Sequence, residues 1–174
     1  MATTAPAAAA TPARKKGVQI MMCCTGNSCR SPIAEAAARR WLQQHRPDTG
    51  DRVLSRGLDE YWVMQQRRPF PQAIKAAAEL GLDTRKHKPQ LISPKDYSET
   101  AVVFGMTRNH VFALNKLLEG VDSKPEVRTL SAVNIQDPYG APLDVYQSAC
   151  KQIVEAVDKT LTIWFAKHDK RSTS

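Results

Sequence analysis

The stretch Met22-Cys23-Cys24-Thr25-Gly26-Asn27-Ser28-Cys29-Arg30-Ser31-Pro32-Ile33-Ala34-Glu35 constrains this chain more than any other. An apolar run, Val18 to Cys23, leads into it, and an alanine-rich amphipathic segment leads out. That order reads as strand, tight loop, helix. The loop is expected at the carboxyl end of a strand and at a helix N-terminus, where backbone N–H groups converge and the dipole favours anions. A cysteine in such a place loses its proton readily, because its thiolate faces the same donors. Cys24 is therefore the candidate nucleophile. Arg30, six residues on, can present a planar fork to a tetrahedral oxyanion.

A cysteine followed by five residues and an arginine is a weak signal by itself; its surroundings strengthen it. Gly26 allows close backbone approach. Asn27 tolerates left-handed dihedrals and can tie the loop with its amide. Ser31 can donate to the thiolate, and Pro32 suits a first helical turn, where a missing N–H is harmless. The amides of Thr25, Gly26, Asn27, Ser28, Cys29 and Arg30, with the guanidinium, offer what phosphoryl transfer asks for: positioning, and neutralisation of charge on three equatorial oxygens. Cys23 lacks the spacing to Arg30, and strand alternation should turn it into the core. The bland alternative is a buried structural cysteine before a helix.

Composition narrows the class. The 174 residues suffice for one domain with a real core, and 42% apolar content excludes overall disorder. No apolar run approaches a bilayer span, and the N-terminus lacks a signal-like apolar core, so the expected location is cytoplasmic with no membrane partner. Four cysteines, three of them clustered, do not make a disulfide scaffold, and neither they nor the four scattered histidines have metal-ligand spacing. No metal or other cofactor is expected. The terminal segments contribute +3 and +2 of the net charge of +8, leaving +3 for the body, so no nucleic-acid face is argued.

Residues 1–17 read as a disordered basic tail, 18–167 as the domain and 168–174 as a basic C-terminal tail. Strands are expected at Val18–Cys23, Arg52–Ser55, Ala101–Met106 and Val127–Leu130. Helices are expected at Ser31–His45, Phe70–Leu80, after Thr107, and from Pro142 towards Lys167, with a single turn at Pro94–Tyr97. Arg56 to Pro69 reads as irregular loop. The inward faces should carry Phe70, Ile74, Ala77 and Ala78 in the second helix, and Val111, Leu114, Leu117 and Leu118 in the third. Alternation of strand and helix argues for an α/β fold: one doubly wound domain, a four-stranded parallel sheet with helices on both faces. Ligands in such sheets bind beyond the carboxyl ends of the strands at a switch point, where the Cys24 loop would lie.

The run Cys-Thr-Gly-Asn-Ser-Cys-Arg-Ser-Pro-Ile-Ala-Glu-Ala resembles the phosphate loop of the low-molecular-weight protein tyrosine phosphatases, and the likeness extends to Asp137-Pro138-Tyr139-Gly140. It covers about Val18 to Phe165. It implies a metal-independent protein phosphatase with a phosphocysteine intermediate, acting on phosphorylated proteins and inhibited by phosphate-like oxyanions. Asp137 then takes the role of general acid, and later of base towards water; alone, Asp-Pro is a common turn pair. Ser55 matches a family serine that hydrogen-bonds Asn27, and His87 a histidine supporting the same network. Arg56 departs from the alanine common in the family, which raises a question of local packing or of charge at the pocket edge. Tyr61, Trp62 and Tyr139 can wall the pocket, although Trp62 reads equally well as core packing.

Two rival readings share the loop. A thioredoxin-coupled arsenate reductase needs a relay of further cysteines, and only Cys150 lies distally. A non-catalytic binding protein would not need Cys24, Arg30 and Asp137 together. Cys29 suggests redox control, because a neighbouring thiol can capture an oxidised Cys24 as a disulfide. Substrate choice turns on Ser28. The tyrosine-specific branch often has a bulky aliphatic residue there, and the protein arginine phosphatase branch, which the sequence also resembles, has threonine. A hydroxyl leaves room for a planar guanidinium, whereas the aromatic residues suit phosphotyrosine. The turn at 137–140 followed by Leu143-Asp144-Val145-Tyr146 again resembles the arginine branch. Phosphotyrosine is placed first, phosphoarginine second, and the oligomeric state stays open.

Overall fold

The computed structural model describes residues 17–169. Strand β1 (Gln19–Cys24) is buried at every position, as a central strand covered on both faces should be. It pairs in parallel with β2 (Arg52–Gly57) on one side and β3 (Val102–Gly105) on the other, and β4 (Glu126–Thr129) extends β3. The order is β2-β1-β3-β4, so the chain reverses direction around β1 and leaves the carboxyl ends of β1 and β3 side by side. Cys23 lies opposite Gly105, and Cys24 opposite Gly57. Alternation divides β1 between two cores. Ile20, Met22 and Cys24 face the larger one, and Met21 and Cys23 join Val103 and Leu114 on the other side. Burial pushes the Cys23 thiol far above its ordinary range, consistent with an inert packing group.

The helices are α1 (Arg30–His45), α2 (Glu60–Gln65), α3 (Pro71–Glu79), α4 (Pro94–Ser98), α5 (Arg108–Leu117) and α6 (Leu143–Asp169). Helix α6 packs across α1 and α3, burying Tyr146, Cys150, Ile153, Val157, Leu161 and Trp164. Its far end is fixed by Phe165, which stacks on Trp41 with centroids 5.6 Å apart and lies under the Arg46 guanidinium.

Several expected boundaries move. Strand β1 takes in Cys24 and β2 runs on to Gly57, because their ladder continues to the pair Cys24–Gly57. Strand β4 starts one residue early, at Glu126. The stretch expected as irregular loop contains α2, whose first turn is capped by Asp59 accepting the Trp62 N–H; six residues are too few to show a periodic apolar face. Phe70 caps α3 rather than opening it, and Ala73, Ala76 and Ala77 face inward while Ala78 is exposed. In α5 Leu114 is buried and Leu117 is exposed, so its stripe is narrower than the apolar pattern suggested. The expected tails lie outside the described residues, apart from Gly17 and the last two residues of α6, His168 and Asp169.

Arg56 has a structural task. It donates to the Ser55 carbonyl at 2.8 Å and to Asp96 Oδ1 at 2.7 Å, tying β2 to the first turn of α4. It does not line the cavity that holds Cys24. Burial works to raise the Asp96 carboxyl, but hydrogen bonds from Arg56 and Ser93 outweigh it and hold the group below its ordinary 3.8. A carboxyl depressed by folding stabilises the native state above its unfolded pKa and loses that contribution as pH falls. Asp96→Asn should therefore lower stability at pH 7 by about 2 kcal/mol, the range for hydrogen bonds to a charged group. Urea unfolding of both proteins checks this: the gap should be full at pH 7 and narrow as pH drops below 3.8.

Candidate active site

The loop after β1 is held by Asn27, which is fully buried and has φ of +53°. Its Nδ2 donates to Ser31 Oγ and to Ser55 Oγ, both at 2.9 Å. Its Oδ1 accepts the Gln90 N–H at 2.9 Å and His87 Nε2 at 3.1 Å. All four valences of the amide are used, and they fix the direction of every neighbouring proton. Ser55 donates onward to Glu35 Oε2 at 2.7 Å. Ser31, already accepting from Asn27, keeps its own proton for Cys24 Sγ, 3.0 Å away. His87 is lowered by burial, against the pull of Glu35; as a neutral ring it carries the proton on Nε2, where both Asn27 oxygens accept.

Arg30 is buried, and its guanidinium is turned across the mouth of the loop. One terminal nitrogen donates to the Ile135 carbonyl at 3.0 Å and the other to Asp137 Oδ2 at 2.7 Å. Its Nε has no partner among the described residues although it is buried, an unusual state for so strong a donor. The backbone N–H groups from Thr25 to Cys29 likewise donate to no acceptor among the described residues. Donors left open in this number, beside the first turn of α1, are the chemistry that an oxyanion site requires. Asp137, with its side chain 46% exposed, also accepts the Tyr139 N–H at 3.2 Å.

These residues line a cavity of about 170 Å³ with Cys24, Thr25, Gly26, Ser28, Cys29, Arg30 and Asp137 on its floor and sides and Trp62, Phe70 and Tyr139 as walls. The walls pack on one another: Tyr139 meets Trp62 at 5.5 Å and Phe70 at 5.0 Å between centroids. Gly26 lets the Trp62 wall approach closely: a Cβ there would lie 3.2 Å from Trp62 Cβ, so the wall would have to give by a few tenths of an ångström. Tyr61 is 65% exposed and does not line the cavity; it sets its ring edge against Trp62 from outside. A larger groove of about 620 Å³ lies behind the loop, between α1 and residues 81–90. Cys24, Arg30 and Asp137 are absent from its lining, so the smaller cavity is the candidate site.

The Cys29 thiol is pushed up well above its ordinary range by burial first and by the neighbouring Cys24 second. Three contributors were not legible as site residues. Glu35 reads as part of the polar face of α1, yet it closes the Ser55 bond; its place one turn after Ser31 is the signal that puts both on one side of the helix. Phe70 reads as a core residue and stands in the cavity wall. His110 reads as an ordinary residue of α5 and hydrogen-bonds Thr25. Among the described residues, no three His, Cys, Asp or Glu side chains cluster as a metal site, and no helix is long and apolar enough to cross a membrane.

Comparison with known proteins places this geometry. The family described as low molecular weight phosphotyrosine protein phosphatase matches residues 19–172. The low molecular weight phosphotyrosine protein phosphatase of Schizosaccharomyces pombe is 26% identical over 151 residues, covering 80% of this chain and 92% of that protein. A protein-arginine-phosphatase of Geobacillus stearothermophilus is 26% identical over 156 residues, covering 81% and 92%. The crystal structure of a low molecular weight phosphotyrosine phosphatase from Vibrio cholerae superposes with a TM-score of 0.73 at 22% identity, over 87% of this chain and 99% of that one.

Asn27 combines a left-handed backbone with four hydrogen bonds, and two substitutions separate these. Asn27→Gly keeps the dihedral accessible and removes the bonds; Asn27→Ala removes the bonds and adds about 1 kcal/mol of strain. The glycine variant should be the more stable of the two by that amount in urea unfolding. Both should bind vanadate roughly tenfold or more weakly, because a misaimed loop loses at least one charge-assisted hydrogen bond. Wild-type affinity in Asn27→Gly would show that the side-chain network does not hold the loop.

Proposed function

Since the chain belongs to the low molecular weight phosphotyrosine protein phosphatase family and is thus a hydrolase of phosphomonoesters, we propose that it dephosphorylates phosphotyrosine on proteins through a phosphocysteine on Cys24. The observation that carries this reading is the run of unpartnered donors, the Thr25–Cys29 amides and Arg30 Nε, in the segment that lines a cavity also holding the Cys24 sulfur.

In the proposed reaction the phosphoryl oxygens occupy the loop amides and the Arg30 fork. The incoming anion competes with Asp137 for the guanidinium and frees that carboxyl for the leaving group. Ser31 donates to the Cys24 thiolate and keeps it aimed along the cavity. Freed from Arg30, Asp137 takes up the proton carried by the phosphomonoester monoanion; the sulfur attacks phosphorus as the P–O bond to the leaving group breaks, and Asp137 gives that proton to the departing oxygen. Asp137, now a carboxylate, takes a proton from water; the hydroxide attacks phosphorus, the S–P bond breaks, and the thiolate and protonated Asp137 are restored. Charge on the equatorial oxygens is met throughout by donors already in place, so little reorganisation is needed.

Phosphotyrosine is supported by the walls. Trp62, Phe70 and Tyr139 offer apolar faces, and a cavity of about 170 Å³ is in the range that takes one aromatic ring. Phosphoarginine is the second reading, favoured by Ser28, which brings a small hydroxyl to the same cavity. A role in redox control is proposed for Cys29, which, unlike Cys23, lines the cavity with Cys24: peroxide converts the Cys24 thiolate to a sulfenic acid, the Cys29 sulfur displaces its hydroxyl, which leaves as water with the proton that burial holds on Cys29, and an added thiol reduces the resulting disulfide. Wild-type protein should regain activity after peroxide and thiol; Cys29→Ser protein that recovers equally well would remove that role.

The function is tested by hydrolysis of an aryl phosphate without added metal. Asp137→Ala should lose roughly 100-fold or more on a poorly leaving alcohol and far less on an activated phenol; equal losses would rule Asp137 out as the acid. Ser28→Ile should shift the ratio of kcat/KM on matched phosphotyrosine and phosphoarginine peptides towards phosphotyrosine, and an unchanged ratio would show that Ser28 does not read the substrate. No turnover by reduced wild-type protein would overturn the phosphatase reading itself.

A further inference from the structure

Two histidines lie against the Cys24 loop: His87 holds Asn27, and His110 has no part in that network or in the proposed reaction. It sits in the first turn of α5 and is buried. Its Nε2 lies 3.0 Å from Thr25 Oγ1, and its Nδ1 lies 3.1 Å from Thr107 Oγ1. Gly105, at the end of β3, makes the fit possible: a Cβ there would come within 2.9 Å of His110 Cβ. The imidazole is thus a rigid bridge between the β3–α5 junction and the first residue of the loop.

The ring is neutral at ordinary pH. Burial, then the positive charge of Arg30, lowers it to about 4, against a smaller opposing pull from Asp137. A neutral imidazole has one N–H and one lone pair, and the neighbours decide which nitrogen has which. Thr107 Oγ1 already accepts the His110 backbone N–H at 3.3 Å as the cap of α5. A second N–H, from Nδ1, would leave the Thr107 proton with no acceptor among the described residues. With Nδ1 bare, Thr107 donates to it, Nε2–H donates to Thr25, and each group in the series is satisfied. The Thr25 hydroxyl has then accepted a bond and holds one proton for an acceptor outside the series. Thr25 lines the cavity with Cys24 and Arg30, where a phosphoryl oxygen supplies that acceptor.

We propose that His110 is a positioning residue: with Thr107 it holds the Thr25 hydroxyl as an added donor to the phosphoryl group. The inference rests on the reading of Cys24 and Arg30 as the phosphoryl site. A donor at the end of a polarised series is strengthened by the bonds behind it. Its ring nitrogens touch hydroxyls, and the leaving-group proton stays with Asp137.

Nitrogen NMR of the wild-type protein should show His110 as the Nε2–H tautomer between pH 5.5 and 8; the Nδ1–H tautomer would overturn the proposal. Thr25→Val and His110→Leu should each raise the vanadate inhibition constant and lower kcat/KM on an aryl phosphate by roughly 10-fold, the range for one hydrogen bond to a charged group. His110→Gln, whose amide N–H can reach the position of Nε2, should recover most of that loss. The double variant should be little worse than Thr25→Val alone, because both changes break one series. Losses that multiply, or a His110→Leu protein with lowered Tm and unchanged vanadate affinity, would leave His110 a packing residue. Should His110→Leu not fold, Thr25→Val and His110→Gln still decide the matter. Wild-type protein without turnover sinks the phosphatase reading; normal turnover with unaffected variants sinks this inference alone.

Discussion

A single buried amide sets the geometry on which the loop depends. Asn27 spends two protons on Ser31 and Ser55 and both lone pairs on residues 87 and 90. These bonds hold a non-glycine residue at positive φ, a conformation that asparagine tolerates better than most L-residues and that the four bonds fix in place. Because the Asn27 amide has a fixed sense, the Ser31 proton is left to point at Cys24. The direction of one proton at the sulfur thus follows from an asparagine three residues along the chain.

The charges are arranged around that frame in a way that keeps them few. Arg30 is the buried cation of the cavity, and Asp137 is the carboxylate it meets. The two histidines against the loop, His87 and His110, are both lowered, chiefly by burial. As neutral rings they serve as directed donors and acceptors, where two further cations would repel Arg30 and draw an oxyanion out of register. Glu35 sits behind the loop, bonded by Ser55 and Arg39, so its charge is answered away from the cavity.

The sheet supplies the platform. With β1 in the middle, the loop emerges beside the end of β3, and the Met106 N–H bonds the Cys23 carbonyl. Residues 135–137 then come back across the site: the Ile135 N–H bonds the Met106 carbonyl, and the Ile135 carbonyl accepts from Arg30. Asp137 reaches the loop because a chain of backbone hydrogen bonds delivers it there from 107 residues away.

The sequence by itself determined the parts whose causes are local. A strand entering a Gly-Asn loop, a proline in the first turn after it and the Cys24–Arg30 spacing are properties of a few adjacent residues, and steric preference and helix-terminus electrostatics act at that range. The alternation of strands and helices, and the turning of Cys23 away from Cys24, follow from period alone. Only the tertiary structure decided which distant groups close the site. Phe70 became a wall and Tyr61 did not, because one of two similar apolar side chains packs against Tyr139 and the other stands outside Trp62. Glu35 and His110 acquired their partners from β2 and from the Cys24 loop; hydrogen bonds between segments so far apart depend on register and burial, which no local pattern encodes. The short helix α2 and the ladder reaching Cys24 and Gly57 were likewise settled by partners across the fold.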